Sequence, residues 1–126
     1  MKYFGQSRLR GIFGDDLTIE LIEKIAKAVC TYNPKKIVIV RDTRTSSKPI
    51  EDAFNKVFKQ NGVQVINVGI APTFVTAYLT HELDCDYGIV ITASHNPPEY
   101  NGIRIFVKGG KSLDGQELEE MDQLIG

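Results

Sequence analysis

Apolar residues recur along the chain in two rhythms. Between Ile19 and Thr31, Leu21, Ile22, Ile25, Ala26 and Val29 fall at helical spacing, and Glu20, Glu23, Lys24 and Lys27 take the other face. Thr18 stands where an N-cap belongs, and Asn33-Pro34 turns the chain. A second helix is predicted over Ile50 to Gln60 from Ala53, Phe54, Val57 and Phe58. Ser47 is its expected cap, Pro49 suits its first turn, and Asn61-Gly62 closes it. A short helix follows Thr73, from Phe74 to His81, with Thr73 as its cap. Asp114 is placed to cap a last one, Gly115 to Ile125.

The other rhythm is short and β-branched. Lys36–Val40, Val63–Val68 and Tyr87–Ile91 read as strands, and the unbroken run Ile37-Val38-Ile39-Val40 suggests burial on both faces. Ile103–Val107 alternates apolar residues with Arg104, as a strand with one face near solvent does. Leu9 to Phe13 is a short extended segment, and Lys108-Gly109-Gly110-Lys111 is a turn. Strands and helices alternate, which predicts a three-layer α/β/α sandwich. Its sheet is expected to be four-stranded, mixed and mainly parallel. The connection from Ala93 to Asn101 holds no helix, so the strand after it is expected to run antiparallel, at or near the edge.

At 126 residues, with 42% apolar and 25% charged, the chain is expected to form one domain, 1–126, with an ordinary core. A net charge of −1 argues against nucleic acid and acidic membranes as partners. No run reaches membrane-spanning length, and Met1–Gly5 shows no signal-peptide core. Cys30 and Cys85 lack C-x-x-C spacing and read as buried thiols in a reducing cytoplasm.

The chemistry gathers in Thr92-Ala93-Ser94-His95-Asn96-Pro97-Pro98-Glu99-Tyr100-Asn101-Gly102. This polar loop follows a buried strand, and ligand sites in open α/β sheets lie outside the carboxyl ends of strands. Ser94, Asn96 and Asn101 also suit plain turn capping. A Ser94–His95 hydrolase pair is disfavoured: no G-x-S-x-G elbow surrounds Ser94, and His81, the other histidine, lies upstream. Two further loops carry arginines. Gly5–Gly11 presents Arg8 and Arg10, and the loop from Arg41 to Ser47 offers Arg44 beside helix-terminal amides as an anion grip.

Thr92-Ala93-Ser94-His95-Asn96-Pro97, continuing through Glu99-Tyr100-Asn101-Gly102, resembles the phosphoserine signature of the α-D-phosphohexomutases, the phosphoglucomutase/phosphomannomutase family. Phe4-Gly5 with Arg10-Gly11, Asp42-x-Arg44-x-Ser46-Ser47 and Gly69-x-x-Pro72-Thr73 are similar to further family segments and stand in the family's order. The resemblance covers nearly the whole chain and implies the first of four domains. It implies a serine that passes its phosphoryl group to a hexose phosphate, forms a hexose 1,6-bisphosphate, and takes the other phosphoryl back. Ser94 would be that serine, with one phosphate oxygen on a catalytic Mg2+. Arg10, His95 and Arg104 would surround the transferring group, with Ser7 and Asn96 nearby. Arg44 and Asn101 join them as candidate phosphate or substrate contacts.

The chain departs from the family at several places. Gln6 and Arg8 stand where a threonine and a glycine or aspartate are usual, Phe74 replaces a proline, and Arg104 replaces a lysine. An arginine does not readily give up its proton. No D-x-D-x-D magnesium loop occurs in these residues. The chain alone is therefore expected to be inactive: an excised or truncated first domain, or one part of a split enzyme that needs the missing mutase domains. The alternative is a stand-alone sugar-phosphate-binding or regulatory module. The form Pro97-Pro98-Glu99-Tyr100-Asn101 leans toward the phosphoglucomutase/phosphomannomutase branch rather than the phosphoglucosamine branch.

Overall fold

The structure is a computed structural model that describes residues 2–5 and 7–126. Among the described residues, six strands form one sheet, β1 (Arg8–Ile12), β2 (Lys36–Arg41), β3 (Gln64–Ile70), β4 (Tyr87–Ile91), β5 (Tyr100–Val107) and β6 (Lys111–Ser112), and four helices join them, α1 (Ile19–Cys30), α2 (Ser47–Gln60), α3 (Phe74–Glu82) and α4 (Gly115–Ile125). The order across the sheet is β1-β5-β4-β2-β3, with β6 paired to β5. β2 runs parallel to β3 and β4, whereas β5 runs antiparallel to β4, β1 and β6.

The α/β class and the antiparallel β5 are as expected, but the sheet has six strands rather than four and its β5 half is antiparallel. β1 and β6 are the additions. Both are short, and neither shows its pairing in sequence; β1 meets a strand from the far end of the chain. β1 is therefore the edge, and β5 lies one strand in.

Alternation along the strands separates two cores. Ile37, Ile39, Ile89, Ile91, Ile103 and Ile105 face α1, α2 and α4, where Ile22, Ile25, Phe54, Phe58 and Met121 complete the larger cluster. Each fully buried side chain of this size contributes roughly 1.5–3 kcal/mol. Val40, Val90 and Phe106 point to the opposite face, which α3 covers through Ala77. Val68 and Ile70 on β3 and Phe74 and Tyr78 on α3 remain exposed. Cys85 is buried and Cys30 half-buried, and both are free thiols. No helix among the described residues is long and apolar enough to cross a membrane.

Capping differs in detail. Thr18 accepts the Leu21 amide at 3.1 Å, as its position predicts. Helix α2 begins three residues before the expected start, which places Ser47 inside the helix and Ser46 at the N-cap without a side-chain cap bond. Thr73 and Asp114 likewise make no side-chain cap bond. These side chains are free for, or engaged in, other contacts.

Candidate active site

Ser94 sits just past β4 with a left-handed backbone (φ 57°), a conformation that costs a side-chain-bearing residue about 1–2 kcal/mol. Its amide donates to the Thr92 hydroxyl at 3.0 Å, which closes the turn and leaves the Ser94 side chain exposed. The Arg10 guanidinium reaches across from β1. Its Nη2 donates to Ser94 Oγ at 3.3 Å and its Nη1 to Asn96 Oδ1 at 3.1 Å. Gly102 makes this approach possible. A Cβ there would lie 2.6 Å from the Leu9 carbonyl, 2.8 Å from the Thr92 carbonyl and 3.0 Å from Arg10 Cγ.

Arg44 occupies a different position from the one its loop suggests. Nε donates to Asp42 Oδ2, Nη1 to the Pro97 and Tyr100 carbonyls, and Nη2 to the Ser94 and Asn96 carbonyls, at 2.6–3.1 Å. All five N–H donors are taken. Arg44 therefore grips the backbone of the serine loop from behind and has no donor left for an anion, which corrects its placement among phosphate contacts. Asn101 is corrected in the same way. It is fully buried, donates to the Ser46 and Ser47 hydroxyls at 2.7 and 2.9 Å, and accepts the Gly102 amide at 2.9 Å. These bonds tie β5 to the first turn of α2, so that helix end faces Asn101 rather than an open anion site.

Asp42 holds this framework together. It accepts the Ser47 hydroxyl at 2.5 Å and the Arg44 amide at 3.0 Å. Burial works to raise its carboxyl pKa, but hydrogen bonds from Ser47, Arg44 and Thr92, with the Arg44 charge, hold it below the ordinary value.

The remaining candidates border two open hollows of about 680 and 660 Å³. Ser7, Arg8, Arg10 and Arg104 line the first, with Tyr3 and Gly5. His95, exposed, lines the second beside Ser94, Asn96 and Thr73. A narrow cleft between them brings Arg8, Arg10 and Arg104 together with Thr73, Thr92 and Ser94. Arg104 donates through Nε to Ser112 Oγ at 3.3 Å and lies 5.0 Å over the Phe106 ring. Desolvation and then the nearby Arg8 charge lower its pKa, against the opposing pull of Asp114. Gln6 lies outside the described residues.

Sequence reasoning did not place Thr73 or Ser112 in this region, whereas Thr92 opened the serine loop it singled out and Arg8 was one of the two arginines of the glycine-flanked opening segment. Thr73 was legible only as a helix cap, although it ends a segment that the resemblance already marks. Arg8 was visible as a departure, and Ser112 depends on the short β6.

Among the described residues, no group of three or more His, Cys, Asp or Glu is placed to hold a metal ion. Ser94 Oγ is one hard donor surrounded by guanidiniums, which repel a cation. These residues do not by themselves fit a magnesium site.

An exposed serine loop at the carboxyl end of β4 is thus faced by arginines from β1 and β5. The sequence model described as "Phosphoglucomutase/phosphomannomutase, alpha/beta/alpha domain I" matches residues 1–125. The chain belongs to that family, the α-D-phosphohexomutases, and corresponds to its domain I. Phosphoglucosamine mutase of Thermotoga neapolitana is 46% identical over 121 residues, covering 95% of this chain and 28% of that protein. Phosphoglucosamine mutase of Finegoldia magna is 43% identical over 128 residues, covering 98% and 28%. A solved phosphoglucomutase/phosphomannomutase family protein from Burkholderia thailandensis superposes with a TM-score of 0.80 at 29% identity, over 94% of this chain and 28% of that one. The chain thus spans little more than a quarter of the length of these relatives. Both of these curated relatives carry the phosphoglucosamine name, where the sequence reading of Pro97–Asn101 expected the phosphoglucomutase/phosphomannomutase branch.

Proposed function

We propose that this chain is the phosphoserine-bearing domain of a hexose-phosphate mutase, an isomerase that interconverts sugar 1- and 6-phosphates through a hexose 1,6-bisphosphate. The observation that carries this reading is Ser94 itself. It is an exposed hydroxyl on a backbone held left-handed, met by the Arg10 guanidinium and pinned from behind by Arg44. A carrier serine needs an open approach, a fixed position and positive charge around the transferring group, since phosphoryl transfer is mostly positioning and charge stabilisation.

In this reading the phosphoryl on Ser94 passes to a free hydroxyl of the bound hexose phosphate, and the hydroxyl's proton leaves. The bisphosphate then reverses, and Ser94 Oγ takes the other phosphoryl. Arg10 and Arg104 balance charge on the group in flight, and His95, in the adjoining hollow, stands near enough to Ser94 to bind phosphate or move the proton. The family resemblance assigns the magnesium carboxylates to another domain. The coverage of the relatives supports further domains that supply the sugar contacts. Glucosamine phosphate is a candidate substrate from the relatives' names, beside glucose and mannose phosphates.

The test is mass spectrometry after incubation with glucose 1,6-bisphosphate and the domains of a relative that the chain does not span. A phosphoryl group on Ser94 is expected. An active mixture in which Ser94 stays unmodified sinks the assignment. A non-catalytic sugar-phosphate-binding module is the second reading, favoured by Arg104 at a lysine position. It predicts saturable sugar-phosphate binding with no modification of Ser94 in any mixture.

A further inference from the structure

Arg8 and Arg104 are direct partners in the β1–β5 ladder, so their side chains leave the sheet on the same face. Arg10, two residues on, shares that face. Like charges placed opposite each other across a ladder destabilise it. No carboxylate among the described residues forms a salt bridge with Arg8, Arg10 or Arg104; the five ion pairs lie elsewhere. Two guanidiniums on adjacent strands, without a salt bridge among the described residues and offset only by the more distant charge of Asp114, open on a hollow that an anion can enter.

The two arginines are also prepared differently. Arg104 is half-buried, with Nε on Ser112 and its guanidinium carbon over Phe106, and its terminal nitrogens are, among the described residues, bonded to no acceptor. Arg8 is exposed and has no side-chain hydrogen bond among the described residues, so it is free to close on a ligand. Arg10 is already engaged with Ser94 and Asn96. Both ladder arginines border the cleft that holds Ser94.

We propose that Arg8 and Arg104 form an oxyanion clamp beside Ser94 that takes a phosphate group, bound through guanidinium N–H donors from both strands. The proposal rests on the cleft being a phosphoryl site, but it does not need Ser94 to be phosphorylated. Arg8 is what this chain adds: where the family usually carries a glycine or an aspartate, it contributes a second guanidinium.

Titration of the chain with inorganic phosphate, followed by calorimetry and by the arginine Nε–H signals, tests this. Saturable binding is expected, with shifts at Arg8 and Arg104. Lys24→Gln, on the exposed face of α1, should bind phosphate within about twofold of the parent. Arg8→Gln should bind at least tenfold more weakly, and Arg8→Lys should recover part of the loss. If Arg8→Gln does not fold by its amide spectrum, Arg104→Gln serves as the second variant with the same expected loss. Unchanged affinity in a folded Arg8→Gln, shifts confined to residues 94–96, or no saturable binding would overturn the clamp. Repetition on chain phosphorylated at Ser94 distinguishes the sources: retained binding at Arg8 marks a free phosphate ester, and loss of binding with Arg8 already shifted marks the serine-borne group. A chain that never accepts a phosphoryl at Ser94 removes the mutase reading and leaves the inorganic-phosphate result intact.

Discussion

Arg44 is the residue whose role the structure changes most. Four of its five donors end on carbonyls of the loop from Ser94 to Tyr100, and the fifth on Asp42. Arg44→Ala would orphan those carbonyls, and we expect a loss of about 3 kcal/mol in urea unfolding, since bonds to a charged donor contribute more than neutral ones. Hydrogen exchange should rise at residues 94–97 while the β2 amides stay protected. Equal protection of the loop in the variant would show that Arg44 does not hold it. The sequence located this arginine near the serine, because a strand-end loop next to another strand-end loop is a topological expectation. It could not say whether the donors meet an anion or backbone carbonyls, since the residue type suits both. Asn101 was equally ambiguous: a polar residue beside Gly102 looks like loop, and only the extension of β5 back to Tyr100 buries it. Ser94 stood out because it follows the end of a β-branched run, whereas Arg10, in the middle of β1, was marked only as an arginine in a glycine-flanked segment and by the family resemblance.

Among the elements, α3 rests closely on β4. Gly88 on β4 lies under Thr76 and Thr80, and a Cβ there would collide with the Thr80 hydroxyl and come within 3.3 Å of Thr76 Cγ2. Both threonines are fully buried. Gly88→Ala should therefore cost about 1–3 kcal/mol by overpacking and lift the helix whose first turn carries Thr73 to the serine cleft. Thr80→Ala clears the space, so the double variant should be more stable than the sum of the single losses, read from a double-mutant cycle in urea. Strict additivity would mean that α3 does not rest on this contact. Helices α1 and α4 and strand β4 were readable from period alone, because amphipathic spacing and β-branched runs are local properties. β1 and β6 were not, since a short edge strand becomes a strand only when its partner arrives.

At the scale of the molecule, the N-terminal segment is tied to the last helix. Asp122 on α4 accepts the Lys2, Tyr3 and Phe4 amides at 2.7–2.9 Å while only 2% exposed. Burial works to raise its carboxyl pKa, and the three amides with the N-terminal charge more than offset it, so the folded value lies below the ordinary one. A carboxylate with a lowered folded pKa contributes stability that is complete above its unfolded pKa, near 3.9, and is lost as pH falls through the folded value. Asp122→Asn should lower stability by about 2 kcal/mol at neutral pH. The gap from the parent should close as pH drops below roughly 4. A gap that stays constant down to pH 2 would assign the effect to packing instead. The sequence marked the α4 periodicity and the polar opening segment, but a contact spanning 118 positions leaves no local pattern.

The pairing of β1 with β5 also fixes an order of events during synthesis. Arg10 emerges from the ribosome 94 positions before Arg104. At a pace of 5–20 residues per second, roughly five to twenty seconds separate them. During that interval the parallel strands emerge in turn and meet one another, while the first strand waits without its partner. The arginines facing Ser94 therefore come together only when the antiparallel half of the sheet is laid down. A ribosome that stalls before Tyr100 leaves a nascent chain with a serine and arginines but no place where they meet.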